Sequence, residues 1–96
     1  MQAYHIYAFD YTDDDAINRR MAVRAAHFEG ARQLKEKGHF IVGGALLNDE
    51  GKMIGSSLIL QFEQPEQLQA WLDQEVYLLN KVWEKVEIKP FRKADI

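Results

Sequence analysis

The 96-residue chain sets 12 Lys and Arg against 15 Asp and Glu, a formal net charge of -3, with 47% hydrophobic and 28% charged residues. That is the balance of one folded domain spanning residues 1–96, not of a disordered tail, and it lacks the broad basic surface that nucleic-acid backbones require. With no cysteine, disulfides, thiolate metal sites and a cysteine nucleophile are excluded.

The opening residues lack the basic stretch and apolar run of a signal peptide, and no segment approaches the ~18 apolar residues of a membrane span. A cytoplasmic protein without a membrane partner is expected. Residues 4–9 are rich in aromatic and β-forming side chains and read as a first strand. Its two faces, Tyr4, Ile6, Ala8 and His5, Tyr7, Phe9, are both largely apolar, unlike a half-solvated antiparallel strand.

Asp13, Asp14 and Asp15 supply an N-cap and acidic first-turn charges for a long helix over residues 16 to about 37. Ile17, Met21, Phe28 and Ala31 recur along it at helical spacing, and Gly38 is its stop. Residues 40–47 form a strand whose glycines, Gly43 and Gly44, allow close approach or a bulge. Residues 48–51 turn the chain into a returning strand over residues 55–62, completing a hairpin. Pro65 opens a short second helix over residues 65–73. After a turn near residues 75–80, Val82, Val86 and Ile88 alternate with Trp83, Lys85, Glu87 and Lys89 in a last strand ending at Pro90.

The order β-α-β-β-α-β predicts an α+β ferredoxin-like fold, a four-stranded antiparallel sheet with its helices on one face. The other face is left apolar and uncovered. Pairing with a second copy removes it from water at roughly 25 cal/mol per Å², so a homodimer through the sheet face is expected.

Arg20, Arg24, His27 and Ala31 follow one another at spacings of four, three and four and share one stripe of the first helix. Two guanidiniums can hold a carboxylate or phenolate while an imidazole moves a proton near neutral pH. The plain structural alternative is a solvated helix flank. His5 and His39 read as ordinary strand and turn residues, and three scattered histidines without ligand spacing predict no metal. Gly55, Ser56 and Ser57 can offer backbone donors and a hydroxyl to a ligand, although no nucleophile elbow surrounds Ser56. Tyr4, Tyr7, Phe9, Trp71, Trp83 and Phe91 read as core and interface.

The run R-M-A-V-R-A-A-H over residues 20–27, then Gly43-Gly44-Ala45, Gly55-Ser56, W-L-D-Q-E-V-Y over residues 71–77 and V-E-I-K-P-F over residues 86–91 together resemble the YCII-related (YciI-like) family. The resemblance spans nearly the whole chain. It implies a dimeric α+β barrel built from ferredoxin-like units and acid-base chemistry centred on a His and Asp pair, with lyase chemistry on chlorinated, hydroxylated rings among related activities. His27 matches the family histidine. The family's Asp-Pro-Tyr triplet corresponds to Glu75-Val76-Tyr77, a departure that keeps the carboxylate, adds a methylene and loosens the turn. Asp73 and Asp10 are alternative acids.

The resulting expectation is a cofactor-free lyase- or isomerase-like enzyme for a small hydroxylated aromatic or anionic molecule. His27 is the base, Glu75 its carboxylate partner, and Arg20, Arg24, Ser56 and Tyr77 bind the substrate in a pocket between the first helix and the sheet, beside the dimer seam. The alternatives are a non-catalytic ligand-binding module and a purely structural dimer.

Overall fold

The computed structural model describes residues 1–96. Its elements are β1 (Gln2–Asp10), α1 (Ala16–Glu36), β2 (Phe40–Leu47), β3 (Met53–Phe62), α2 (Pro65–Gln74), α3 (Val76–Leu79) and β4 (Trp83–Phe91). The strands form one antiparallel sheet in the order β2-β3-β1-β4. This is the ferredoxin-like arrangement, with the expected turn after α2 tightened into the single-turn α3.

Side chains alternate across a strand, and the register sorts the two faces. Ile6 and Ala8 of β1 pair with Leu58 and Ser56 of β3, and with Leu60 and Phe62 they face the helices. The core is Ile6, Ala8, Leu58, Leu60 and Phe62 closed over by Leu68, Tyr77, Val82 and Trp83. His5, Tyr7 and Phe9 point the other way, where Phe9 is 45% and Val42 54% exposed. On that outer face His5 Nε2 lies 2.7 Å from Ser57 Oγ, and the Tyr7 hydroxyl donates to Glu87.

Three expectations are corrected. Asp15 sits at the N-cap of α1, but its side chain caps no backbone N–H. It accepts instead from Asn18 Nδ2 at 2.9 Å, and Asp13 takes the Arg19 guanidinium through two contacts of 2.8 Å. The charged guanidinium is the stronger partner for Asp13, and the Asn18 amide takes the place of a backbone N–H at Asp15.

The apolar stripe of α1 does not face the core: Ile17, Met21 and Phe28 are 44%, 50% and 40% exposed. The buried residues of α1 are Ala16, Arg20 and His27. A helix can turn a charged stripe inward when each buried charge meets a partner, and Asp10 and Glu75 are those partners.

Trp83 does not share the face of Lys85 and Glu87. The β1–β4 register runs Ala8 to Val86 and Phe9 to Lys85, then shifts so that Asp10 pairs with Trp83. An extra residue in one strand of a pair rotates what precedes it to the other face, and Trp83 is buried among the helices at 2% exposure.

Glycine is required at Gly55, where a Cβ would collide with the Ala8 carbonyl oxygen across the β1–β3 pair. No helix is long and apolar enough to cross a membrane.

Candidate functional site

α1 carries Arg20, Arg24 and His27 over the inner face of the sheet. With Ser56 of β3 and Tyr77 of α3 they line a cleft of about 210 Å³ whose remaining walls include Phe28, Phe40, Gly43 and Gly44. A Cβ on Gly43 would sit 2.7 Å from Leu58 Cδ2, so the glycine spares room for Leu58 and Phe40. The cleft lies on the helix side of the sheet, opposite Tyr7 and Phe9. This is the expected place between the first helix and the sheet, and it is turned away from the outer face because successive residues of β1 point to opposite sides.

His27 is buried, and its Nδ1 lies 2.5 Å from Glu75 Oε1. An ionised carboxylate only accepts, so Nδ1 carries the hydrogen and Nε2 is the basic nitrogen of the neutral ring. Nε2 has no hydrogen-bond partner in the protein. The ring is clamped: Tyr77 stacks on it at 3.9 Å between centroids and 10° between planes, and Trp83 meets it edge-on at 5.9 Å. Glu75 is held as the N-cap of α3, where Oε1 also accepts from the Tyr77 backbone N–H at 3.2 Å. The longer side chain at the Glu75-Val76-Tyr77 turn thus reaches the histidine. Asp73 is exposed and is bonded to Gln69. Asp10 is committed to Arg20.

The two arginines differ. Arg20 is 3% exposed, and its Nη1 donates to both Asp10 oxygens at 3.0 and 2.8 Å. Its Nη2 donates to Ser56 Oγ at 3.0 Å, and its Cζ lies 4.9 Å from the centre of the Tyr77 ring. Burial raises the Asp10 carboxyl, opposed by the hydrogen bond and charge of Arg20. Arg24 is half-buried, lies 4.6 Å over the Phe28 ring, and makes neither an ion pair nor a hydrogen bond. Of the two cations, Arg20 is paired with Asp10 and Ser56, and Arg24 is unpaired. Burial also raises the Tyr77 hydroxyl, against the charges of Arg20 and Arg24, so it is a neutral phenol.

Trp83 belongs to this cluster although it reads from sequence as packing: its Nε1 donates to Ser56 Oγ at 3.1 Å. Only the shift in strand register could have revealed it. On the far side of His27 and Glu75 a wider groove of about 560 Å³ opens between α1 and α2, bordered by Gln33, His39, Gln67 and Trp71. His39 Nδ1 is 2.9 Å from the Gln61 carbonyl oxygen, which leaves it apart from the His27 cluster. No three His, Asp or Glu side chains gather as a metal site would require.

Fold and cleft together define a ferredoxin-like α+β protein with a small chamber between its first helix and its sheet, in which a few polar groups converge among apolar walls. Residues 4–92 match the model of the YCII-related domain, and the chain belongs to that family. It is 36% identical to protein YciI of Escherichia coli O6:H1 over 97 residues, covering 95% of this chain and 97% of that protein. An uncharacterized protein of Haemophilus influenzae is 30% identical over the same coverage. Among solved structures, 5-chloro-2-hydroxyhydroquinone dehydrochlorinase from Burkholderia phenoliruptrix, in complex with 2,5-dihydroxybenzoquinone, superposes with a TM-score of 0.79 at 21% identity over 96% of this chain and 95% of that one. A dimeric ferredoxin-like protein of unknown function from Jannaschia sp. does so with a TM-score of 0.57 at 11% identity, over 97% and 100%. These structures share the fold.

Proposed function

We propose that the chain is a cofactor-free acid-base enzyme that eliminates or isomerises a small, anionic or hydroxylated ring compound in the α1–sheet cleft. The observation that carries this reading is the His27–Glu75 hydrogen bond of 2.5 Å, which leaves Nε2 as a base in a chamber shared with Arg24, Ser56 and Tyr77. Glu75 holds the tautomer and stabilises the imidazolium that forms on proton uptake. His27 Nε2 takes a proton from a ring carbon or hydroxyl. The released electron pair forms the new double bond, and a leaving group on the adjacent atom departs with its own pair. Arg24 holds the anionic oxygen, and the neutral Tyr77 hydroxyl is a further donor. The dehydrochlorinase of the same fold makes chlorinated hydroxyhydroquinones the first compounds to try.

The test is a melting-temperature screen of phenolic, quinone and carboxylate metabolites, followed by chloride and product analysis of each stabilising compound. A compound consumed by the wild type and not by His27→Ala is the expected result. Turnover unchanged in His27→Ala would refute the assignment, and ligands that stabilise but are never altered select a binding module instead.

We further propose a homodimer through the outer sheet face. The exposed Phe9 and Val42 and the dimeric relative of the same fold support it. Light scattering at micromolar concentration should give twice the chain mass, and a monomeric mass would remove the proposal.

A further inference from the structure

Ser56 Oγ accepts from Arg20 Nη2 at 3.0 Å and from Trp83 Nε1 at 3.1 Å. A serine hydroxyl has two acceptor lone pairs and one hydrogen, whereas guanidinium and indole nitrogens only donate. Both lone pairs are therefore taken. The oxygen cannot accept from a ligand, and its hydrogen has no acceptor among the protein's own atoms. Ser56 is 3% exposed and lines the cleft, so that hydrogen is offered to whatever occupies the cleft.

From this we infer that Ser56 is an obligate hydrogen-bond donor which, together with the unpaired Arg24, selects anionic ligands bearing an acceptor oxygen and rejects ligands that present a donor there. The ligand class is a single-ring carboxylate, phenolate or enolate. The volume of about 210 Å³ falls below the roughly 300–1,000 Å³ of pockets for drug-sized ligands. The Arg20 charge behind Ser56 polarises the hydroxyl, which strengthens its bond to an oxygen gaining negative charge. When His27 Nε2 removes a proton from the carbon next to a carbonyl, the C–H pair forms a carbon–carbon double bond, the carbonyl π pair moves onto the oxygen, and the Ser56 hydroxyl donates its hydrogen to that oxyanion. This inference rests on the cleft being the ligand site of the proposed enzyme, but on binding and not on turnover.

The experiment uses benzoate, an anion with acceptors only, and benzamidinium, its isosteric donor-only counterpart. Calorimetry on the wild type should show benzoate bound and benzamidinium refused. Ser56→Ala should weaken benzoate at least about tenfold, and Ser56→Thr, which restores the hydroxyl, should stay within about threefold of the wild type. Trp83→Phe frees one lone pair of Ser56, so the preference for benzoate over benzamidinium should narrow.

A second readout needs no variant of Ser56. The chain has two tryptophans, and Trp83→Phe assigns their indole N–H resonances. Cyclohexanecarboxylate, which carries no ring current, should shift the Trp83 indole through Ser56 and leave Trp71 in place. Absence of benzoate binding by the wild type, equal affinity in a folded Ser56→Ala, or an unmoved Trp83 resonance in the saturated protein would each overturn the inference. Binding with no turnover in any screen leaves it standing and removes only the enzymatic reading. An identified substrate that is turned over and whose affinity is unchanged in Ser56→Ala does the reverse.

Discussion

Glu75 Oε1 lies 2.5 Å from His27 Nδ1, and the same oxygen accepts the Tyr77 backbone N–H at 3.2 Å. One carboxylate thus orients the imidazole and caps α3. Its two roles separate by substitution. Glu75→Gln keeps an acceptor oxygen for the cap and removes the charge, so the fold should hold while turnover of an identified substrate falls by about 10²-fold or more. Glu75→Ala should add about 1 kcal/mol of destabilisation from the lost cap. Turnover and urea denaturation measured on both variants check this, and equal stability losses would refute the division of roles.

Arg20 and Asp10 form a buried pair with side-chain exposures of 4% and 7%. Removing one partner strands the other charge in the interior. Asp10→Ala should therefore destabilise the protein by about 3–5 kcal/mol. Arg24→Gln, which breaks no internal ion pair, should leave stability within about 0.5 kcal/mol and abolish the affinity for anions. Denaturant unfolding combined with benzoate titration checks the contrast. A stable Asp10→Ala or an anion-binding Arg24→Gln would contradict it.

Arg19 holds the Asp13 carboxyl down to about 2 from its ordinary 3.8. The folded value lies below the unfolded one, so the pair stabilises the fold above the unfolded value. That contribution is lost as pH falls from about 4 through about 2. The melting-temperature difference between wild type and Asp13→Asn should be present at neutral pH and close over this acid window. A difference that persists unchanged below it would show that the ion pair is not its source.

A Cβ at Gly55 meets the Ala8 carbonyl oxygen, a backbone atom, whereas one at Gly43 meets the ends of the Leu58 and Phe40 side chains. Side-chain ends can shift, but a paired carbonyl cannot move without opening the β1–β3 ladder. Gly55→Ala should lower the melting temperature considerably more than Gly43→Ala. Gly43→Ala should instead narrow the cleft and weaken benzoate. The reverse order of stabilities would count against this reading of the strand contacts.

The outer face, with Phe9 and Val42 exposed, is separated from the cleft by the thickness of the sheet. A Phe9→Glu, Val42→Glu variant should lose the dimer and keep its anion affinity. Ligand binding that disappears with the dimer would show that the partner completes the site.

Much of this protein was legible without coordinates because the signals are local. Alternating aromatics over residues 4–9, the glycine-marked hairpin and the proline-opened second helix follow from backbone preferences of neighbouring residues. The spacing of Arg20, Arg24 and His27 placed them on one stripe, since a helix repeats every 3.6 residues. Which way that stripe faced was not local. The apolar residues Ile17, Met21 and Phe28 argue for one stripe, and only the arrival of Asp10 and Glu75 from distant elements makes burial of the neighbouring charged stripe favourable.

The same holds for the fine structure of the site. Arg20 and Arg24 are indistinguishable as residues four apart, yet one is spent on Asp10 and Ser56 and the other is free. Trp83 enters the cluster because the β1–β4 register shifts by one residue, and a one-residue shift exchanges the faces of a strand. The sequence by itself determined the element order, the antiparallel sheet and the cast of polar residues. Tertiary structure alone decided which of them meet, because partner choice depends on contacts between residues far apart in the chain.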